Sequence, residues 1–157
     1  MNIETTRLRV LLEDAVEHAA RHVEAGGLPF VGVVAGDGWV SEPGTNLVVQ
    51  TGDPSAHAEI VAMRRTLSER GPTALAGTTL LATGEPCALC YRFAADHGVA
   101  QVVYAVDDAT AARWGFDYRT FEARTPVTRR GGTVHHLTVE RGLDPFVRYA
   151  HLHSVTS

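Results

Sequence analysis

The sequence predicts an α/β protein with three layers, in which helices cover both faces of a mixed five-stranded sheet. Two observations favour this class. Segments with apolar residues at helical spacing alternate along the chain with short, apolar, β-prone segments. The 157 residues, of which 45% are hydrophobic and 20% charged, are enough for one domain with its own core. We therefore expect a single domain over residues 1–157.

Each predicted element has its own local signal. The helices carry apolar residues three or four positions apart, and Gly or Pro marks their ends. The strands are short and apolar, and Pro43-Gly44 would interrupt or bend the second one. The first helix should carry Leu12, Val16, Ala19 and Val23 and run up to Gly26-Gly27. It should be followed by a strand over 30–35, a strand around Trp39, and a helix starting at Asp53-Pro54 and including Ile60, Met63 and Leu67. The rest of the chain should form a strand over 79–83, a helix over 86–98, a strand over 101–106, a short helix through Ala112, a strand over 133–139 and a helix over 145–152.

Composition and charge argue against several classes of protein. No stretch approaches the roughly 18 apolar residues of a membrane-spanning helix, and the N-terminus lacks the pattern of a signal peptide. We therefore expect a cytoplasmic protein with no membrane partner. Because that compartment keeps thiols reduced, a structural disulfide between Cys87 and Cys90 is not expected. The formal net charge of −4 argues against a nucleic-acid partner.

Two short motifs carry the chemistry: His57-Ala58-Glu59 and, downstream, Pro86-Cys87-Ala88-Leu89-Cys90. One imidazole and two thiolates are good ligands for Zn²⁺, and three protein ligands leave one coordination position open, as catalytic zinc sites do. A carboxylate beside them, that of Glu59, could accept and return a proton. The two motifs together resemble the signature of zinc-dependent base deaminases.

Each of these residues also has a simpler interpretation. Glu59 could complement the dipole at a helix N-terminus, and His57 could be an ordinary polar residue. The Cys87–Cys90 spacing could mark a redox pair or part of a structural zinc site. A redox pair leaves His57 and Glu59 unexplained, and structural zinc usually takes four protein ligands. The combination therefore favours a catalytic zinc site.

Given these motifs, the chain resembles the cytidine deaminase-like superfamily and, within it, the guanine deaminases. The resemblance rests on Leu28-Pro29-Phe30-Val31-Gly32-Val33-Val34, on Asn46, on Asp53 through Ile60, on Glu85 through Cys90, and on Gly115-Phe116-Asp117. It implies a cytidine deaminase-like fold, zinc held by His57, Cys87 and Cys90, and Glu59 as the proton shuttle. It further implies that the protein is a homodimer and that its substrate is a small aminated heterocycle. The reaction expected from the guanine deaminases is conversion of free guanine to xanthine and ammonia.

The resemblance also implies which residues contact the base. Asn46 would bind it through its amide, and Asp117 would accept from the N–H edge of a purine, where guanine presents donors. Phe30 would line the pocket, and Ala58 and Tyr149 complete the expected substrate-binding set. The C-terminal tail, residues 143–157, would close the active site; the candidates for this contact are Phe146, Tyr149 and His151.

The zinc motif does not by itself select the substrate. Phe30-Val31-Gly32 differs from the Phe-Gly-Ala usual in the family, so cytosine, triazines, pterins and nucleosides stay as alternatives. A tRNA adenosine deaminase needs a basic track for the phosphate backbone, whereas adjacent arginines occur only at Arg64-Arg65 and Arg129-Arg130. A non-catalytic zinc-binding domain of the same fold is the remaining alternative, and an intact Glu59 argues against it.

Overall fold

The structure, a computed structural model, describes residues 3–117 and 132–153, and its helices and strands alternate as the sequence predicts. The helices are α1 (Ile3–Glu24), α2 (Val48–Thr51), α3 (Ala58–Arg70), α4 (Ala88–Asp96), α5 (Asp108–Arg113) and α6 (Asp144–His153). The strands are β1 (Val31–Gly36), β2 (Trp39–Val40), β3 (Gly44–Thr45), β4 (Thr79–Gly84), β5 (Gln101–Val106) and β6 (Thr133–His136). None of the helices in these two ranges is both long enough and apolar enough to cross a membrane.

The strands form one mixed sheet in the order β2-β1-β4-β5-β6. Strand β1 is antiparallel to β4, whereas β4, β5 and β6 run parallel to one another. Strand β3 pairs with β1 along the same edge as β2, so that Trp39 lies opposite Gly36 and Gly44 opposite Gly32. The second predicted strand is thus interrupted near Pro43, as expected. Over the described residues the sheet has six strands instead of the predicted five, because the two pieces of this edge strand pair separately with β1.

Helices cover both faces of the sheet, which confirms the predicted three layers. Along β1, Val31 and Val33 pack in the apolar cluster that includes α1 and α6, while Val34 packs in the cluster of α3 and α4. This alternation follows from the two-residue period of a strand. Helix α1 contacts α6 and the central strands on one side, and α3 contacts α4 and β1 on the other.

Two predicted boundaries are wrong. The helix expected from Asp53-Pro54 begins at Ala58, because the Asp53 carboxylate accepts from the backbone N–H (2.9 Å) and hydroxyl (2.6 Å) of Ser55 and forms a turn instead of a helix cap. The strand expected over 133–139 ends at His136; the carbonyl of Val106, which the next step of a parallel ladder would use, already accepts from the backbone N–H of Glu85 (2.8 Å). The four-residue helix α2 was not predicted.

The segments that carry the predicted motifs meet at one edge of the sheet. Parallel strands β4 and β5 end there, at Gly84 and Val106. Strand β1 starts there because it runs antiparallel to β4. The Thr83 hydroxyl joins the two ends: it accepts from the backbone N–H of Val31 (3.0 Å) and donates to the carbonyl of Pro29 (3.1 Å). Residues that follow β4, or that precede β1, are thereby brought together.

Two glycines let helix α3 lie directly on the sheet. A Cβ at Gly32 would lie 2.7 Å from the Cα of Glu59, and a Cβ at Gly44 would lie 2.5 Å from the carbonyl oxygen of Ala58 and 2.6 Å from the backbone nitrogen of Ala62. These distances are too short for a side chain of any size. The N-terminal turn of α3, with the His57-Ala58-Glu59 motif, is therefore held close to β1 and β3.

We expect Gly44→Ala to lower the free energy of unfolding by about 1–3 kcal/mol, because the new methyl group meets backbone atoms that cannot rotate away. Urea unfolding measures this change. Gly142→Ala is a suitable control, since its Cβ would meet the carbonyl oxygen of Val139 at 3.3 Å and needs only a small shift. Equal stability of the two variants would show that α3 does not depend on this close approach.

Candidate active site

Three metal-ligating side chains converge at the starts of two helices. His57 and Cys87 occupy the N-cap positions of α3 and α4 with extended backbones, and neither side chain caps its own helix. Instead, the Nδ1 atom of His57 lies 3.3 Å from the Sγ atom of Cys87 and 3.6 Å from that of Cys90. The two sulfurs are 3.6 Å apart, and both cysteines are free thiols.

These distances fit a tetrahedral zinc ion. Zn–S bonds of about 2.3 Å and Zn–N bonds of about 2.0–2.1 Å place two sulfurs about 3.8 Å apart and a sulfur and a nitrogen about 3.6 Å apart. The observed separations, 3.3 to 3.6 Å, are close to both values. His57, Cys87 and Cys90 are thus positioned to bind a metal ion with one coordination position left for water or substrate.

The electrostatics of the two cysteines favour a thiolate in this site. The hydrogen bond between the two sulfurs, together with those from His57 and from the backbone N–H of Cys90, lowers the pKa of Cys87 to about 4. The neighbouring Cys87 sulfur and burial raise the pKa of Cys90, so the metal-free pair holds one thiolate and one thiol. Thiolates are the form that binds zinc, and binding of the ion would release the second proton.

The backbone before α3 also acts on the His57 imidazole. The hydrogen bond to Cys87 raises the pKa of His57. The backbone of Pro54 contributes, less than Cys87 does, to the raised pKa of His57. The Pro54 segment is itself fixed from outside, because Arg64 donates to the Asp53 carboxylate (2.8 Å) and to the Ser55 hydroxyl (2.9 Å).

This network predicts a pH-dependent contribution to stability. Its hydrogen bonds, first those from Ser55, lower the pKa of Asp53 from 3.8 to about 2. Because folding lowers this pKa, the stabilisation is complete at pH values above the pKa of the unfolded state and is lost as the pH falls through the pKa of the folded state. We therefore expect zinc-free Asp53→Asn to be less stable than wild type near neutral pH, with the difference shrinking below about pH 4.

Urea unfolding of the zinc-free proteins at a series of pH values measures that difference. Asp96→Asn is the matched control, because Asp96 also pairs with an arginine, Arg92 (3.1 Å), on the surface. A constant difference between Asp53→Asn and wild type from neutral to acid pH would contradict the prediction.

Glu59 is buried beside the three ligand atoms. Its side chain is in the first turn of α3, only 5% of the residue is exposed, and its Oε2 atom accepts from the Cys90 thiol at 3.4 Å. Burial raises the pKa of Glu59 to about 7. A carboxyl group with a pKa near neutrality can both accept and return a proton, which is the requirement for a general acid–base.

The ligands and Glu59 open into a pocket that contains three of the predicted substrate-binding residues. Its wall is formed by Phe30, Asn46, His57, Ala58, Glu59, Glu85 and Cys87. The Asn46 side-chain oxygen accepts from the backbone N–H of Val48 (3.0 Å), which fixes the orientation of the amide at the start of α2. Phe30 precedes β1 and reaches the pocket because β1 starts beside the end of β4.

Glu85 has no role predicted from the sequence, yet it lines this pocket. It lies between β4 and Cys87, is half-buried, and accepts from the backbone N–H of Asp108 (2.9 Å). Burial raises its pKa. The only sequence signal was its position directly before Pro86-Cys87, and its contact with Asp108 depends on the parallel pairing of β4 with β5.

Two predicted substrate-binding residues lie outside the wall of this pocket. Asp117 is exposed and follows Phe116, whose ring packs edge-on against Phe30 (5.1 Å between ring centroids). Tyr149, on α6, packs against Phe116 at 5.1 Å and stacks on His153 at 4.0 Å. Neither residue is part of the pocket wall, and their roles toward the base remain predictions.

Residues 5–106 match the protein family described as "Cytidine and deoxycytidylate deaminase zinc-binding region". The chain is 34% identical, over 149 residues, to guanine deaminase of Bacillus subtilis strain 168, covering 93% of this chain and 92% of that protein. The crystal structure of guanine deaminase from Bacillus subtilis superposes with a TM-score of 0.66 at 32% identity, covering 96% of this chain and 95% of that one.

Two other similarities are weaker in sequence. A guanine deaminase from Nitrosomonas europaea shares the fold, with a TM-score of 0.72 at 22% identity, and the match covers 88% of this chain and 81% of that chain. A tRNA-specific adenosine deaminase from Streptococcus pyogenes serotype M18 is 25% identical over 132 residues, 84% of this chain and 79% of that protein. The similarity in sequence is thus greater to the Bacillus guanine deaminase than to this tRNA-modifying enzyme.

Proposed function

Since this chain belongs to the cytidine and deoxycytidylate deaminase family, we propose that it is a zinc-dependent hydrolase that converts free guanine to xanthine and ammonia. The observation that carries the proposal is the convergence of three zinc-ligating atoms and a buried carboxylate on one pocket. The identity to a guanine deaminase over nearly the whole chain supports guanine as the base.

A zinc ion held by His57, Cys87 and Cys90 would supply Lewis-acid activation of a water molecule. Glu59 accepts a proton as the water oxygen forms its bond to the amine-bearing carbon of the base. It then delivers that proton to a ring nitrogen, where it stays. The proton left on the attacking oxygen passes, again through Glu59, to the amine, so that the C–N bond breaks, the carbonyl of the product forms and ammonia leaves. The burial that raises the pKa of Glu59 to about 7 suits it to both steps.

The remaining pocket residues hold the base in place. Phe30 provides an apolar surface for the ring, and the backbone N–H of Ala58 is at the positive end of α3. Because the Asn46 oxygen is engaged by Val48, the amide presents its NH₂ group to an acceptor of the base. Asp117 accepts from the N–H edge of guanine, a role based on the family resemblance alone.

Assembly and closure of the site are part of the same proposal. By family likeness we propose a cytoplasmic homodimer whose C-terminal tail, residues 143–157, covers the pocket. Phe146 is fully buried and contacts both Phe30 and Phe116 (centroids at 5.6 and 5.9 Å), so α6 packs against a residue of the pocket wall, which supports a tail that starts beside the pocket. Residues 154–157 lie outside the described part of the chain. Sedimentation equilibrium tests for the dimer.

The test is ammonia release by zinc-loaded protein from guanine, cytosine, adenine, their nucleosides, an aminated triazine and a pterin. We expect turnover of guanine and little of the others. Preference for another heterocycle would overturn the guanine proposal while retaining the zinc chemistry. Zinc binding with no turnover would favour a non-catalytic domain. Activity on tRNA would favour RNA editing. The two arginine pairs are the candidates for a basic track along the phosphate backbone. In the first, Arg64-Arg65, the Arg64 side chain pairs with Asp53, and the second, Arg129-Arg130, lies outside the described residues.

A further inference from the structure

Glu85 connects the two halves of the proposed active site. Its backbone N–H donates to the carbonyl of Val106 (2.8 Å), which extends the pairing of β4 with β5 by one residue. Its side chain then accepts from the backbone N–H of Asp108, the first residue of α5 (2.9 Å). Two residues later the chain reaches the zinc ligand Cys87. Glu85 is therefore attached both to the metal-binding segment and to the helix that follows β5.

Helix α5 depends on its N-terminal contacts. It has only six residues, and a helix of this length is not stable by itself. The first N–H groups of a helix have no partner within it. In α5, the Asp107 carboxylate accepts from Thr110 (2.8 Å), and Glu85 accepts from Asp108. Both acceptors are carboxylates, which also match the positive end of the helix dipole.

The position of α5 sets that of the segment 115–117. Gly115 ends the helix with a φ of +99°, a conformation that other residues rarely adopt. The backbone N–H of Phe116 donates to the carbonyl of Ala111 (3.0 Å), so Phe116 is tied to the body of α5. The Phe116 ring packs against Phe30 in the pocket wall (5.1 Å), and Asp117 follows it. A shift of α5 would therefore move the pocket wall.

We propose that Glu85 is a positioning residue that holds α5, and through it Phe30, Phe116 and Asp117, in the arrangement that binds the base. The proposal rests on the deaminase function proposed above, but not on guanine being the substrate. Glu85 acts through the backbone of Asp108, so its contribution appears in binding of the base and not in the proton transfers of Glu59.

The experiment compares Glu85→Ala, Glu85→Gln and Asp107→Ala, using whichever heterocycle the wild type turns over best. In Glu85→Ala we expect KM to rise about tenfold, kcat to change by less than about threefold, and one zinc to remain per chain. Glu85→Gln retains an oxygen that can accept from Asp108, so it should recover most of the loss in KM. Asp107→Ala removes the other carboxylate at the N-terminus of α5 and should also raise KM. Because Asp107 is not part of the pocket wall, such a rise would come from the position of α5.

Hydrogen exchange of the α5 amides provides a readout that needs no substrate: exchange should accelerate in Glu85→Ala and in Asp107→Ala. Glu69→Ala, an exposed change on the far end of α3, is the control and should alter neither KM nor exchange.

An unchanged KM in Glu85→Ala, or loss of zinc from that variant, would overturn the proposal. The proposal would also be overturned if Glu85→Gln raised KM as much as Glu85→Ala does while Asp107→Ala left KM unchanged. That pattern would indicate that the charge of Glu85 contacts the base directly. If wild type releases ammonia from no compound, the proposed function fails, while the exchange result still decides whether Glu85 holds α5.

Discussion

Replacement of Glu59 by glutamine should reduce kcat by about a thousandfold while the protein retains one zinc per chain. Glutamine has nearly the same shape as glutamate and fits the same buried position, but it cannot accept a proton from water and return it to the base. The three zinc ligands lie on other side chains and are unchanged. Ammonia release together with metal analysis of the purified variant measures both expectations. Full activity in Glu59→Gln would contradict the assignment of Glu59 as the proton shuttle.

The same variant should be more stable than wild type when zinc is absent. Burial raises the pKa of Glu59 from 4.5 to about 7. Folding at neutral pH must therefore either protonate this carboxylate or bury its negative charge, and both cost free energy. For a carboxyl group with a raised pKa, stability decreases as the pH rises from the unfolded to the folded value. Zinc-free Glu59→Gln should thus gain on the order of 1–3 kcal/mol over wild type at about pH 8 and little at about pH 4. Glu69→Gln, an exposed control, should show no such gain.

Most of the fold could be predicted because its signals are local. The first helix follows from the spacing of Leu12, Val16, Ala19 and Val23 and from the glycines after it, although its start at Ile3 was not predicted. The buried strands β1, β4 and β5 follow from their short apolar runs. The start of α3 could not, because Asp53 has two competing partners. A capping role was available in principle, but the carboxylate instead accepts from Ser55, two residues along the chain, and from Arg64, further along α3. Tertiary contacts of this kind are not encoded in the spacing of apolar residues.

The candidate site divides in the same way. The His57-Ala58-Glu59 and Cys87–Cys90 motifs are contiguous in sequence, so the zinc ligands and the adjacent carboxylate could be predicted together. The pocket wall could not be assembled from spacing, because it depends on β1 running antiparallel to β4 and on β5 lying beside β4. The family resemblance supplied Phe30 and Asn46 in advance. Glu85 was missed because its partner, Asp108, becomes a neighbour only through the parallel pairing of two strands.

Cys87→Ala should abolish zinc binding under conditions in which wild type binds one ion per chain. The change removes one of three protein ligands and the thiolate that its neighbours stabilise most, as the lowered pKa of Cys87 indicates. Two protein ligands cannot hold zinc as three do, and activity should be lost with the metal. Zinc content after gel filtration and ammonia release measure the two losses. A Cys87→Ala protein that keeps stoichiometric zinc would show that Cys87 is not a ligand.

Thermal unfolding separates this defect from that of Glu59→Gln. An ion that binds only the folded state raises Tm, by an amount set by its concentration relative to Kd. Wild type and Glu59→Gln should both gain Tm when zinc is added, because both retain His57, Cys87 and Cys90. Cys87→Ala should show the same Tm with and without zinc, because it lacks one of the three ligands. Two variants that are both inactive would then differ in one measured response, which assigns metal binding to Cys87 and proton transfer to Glu59.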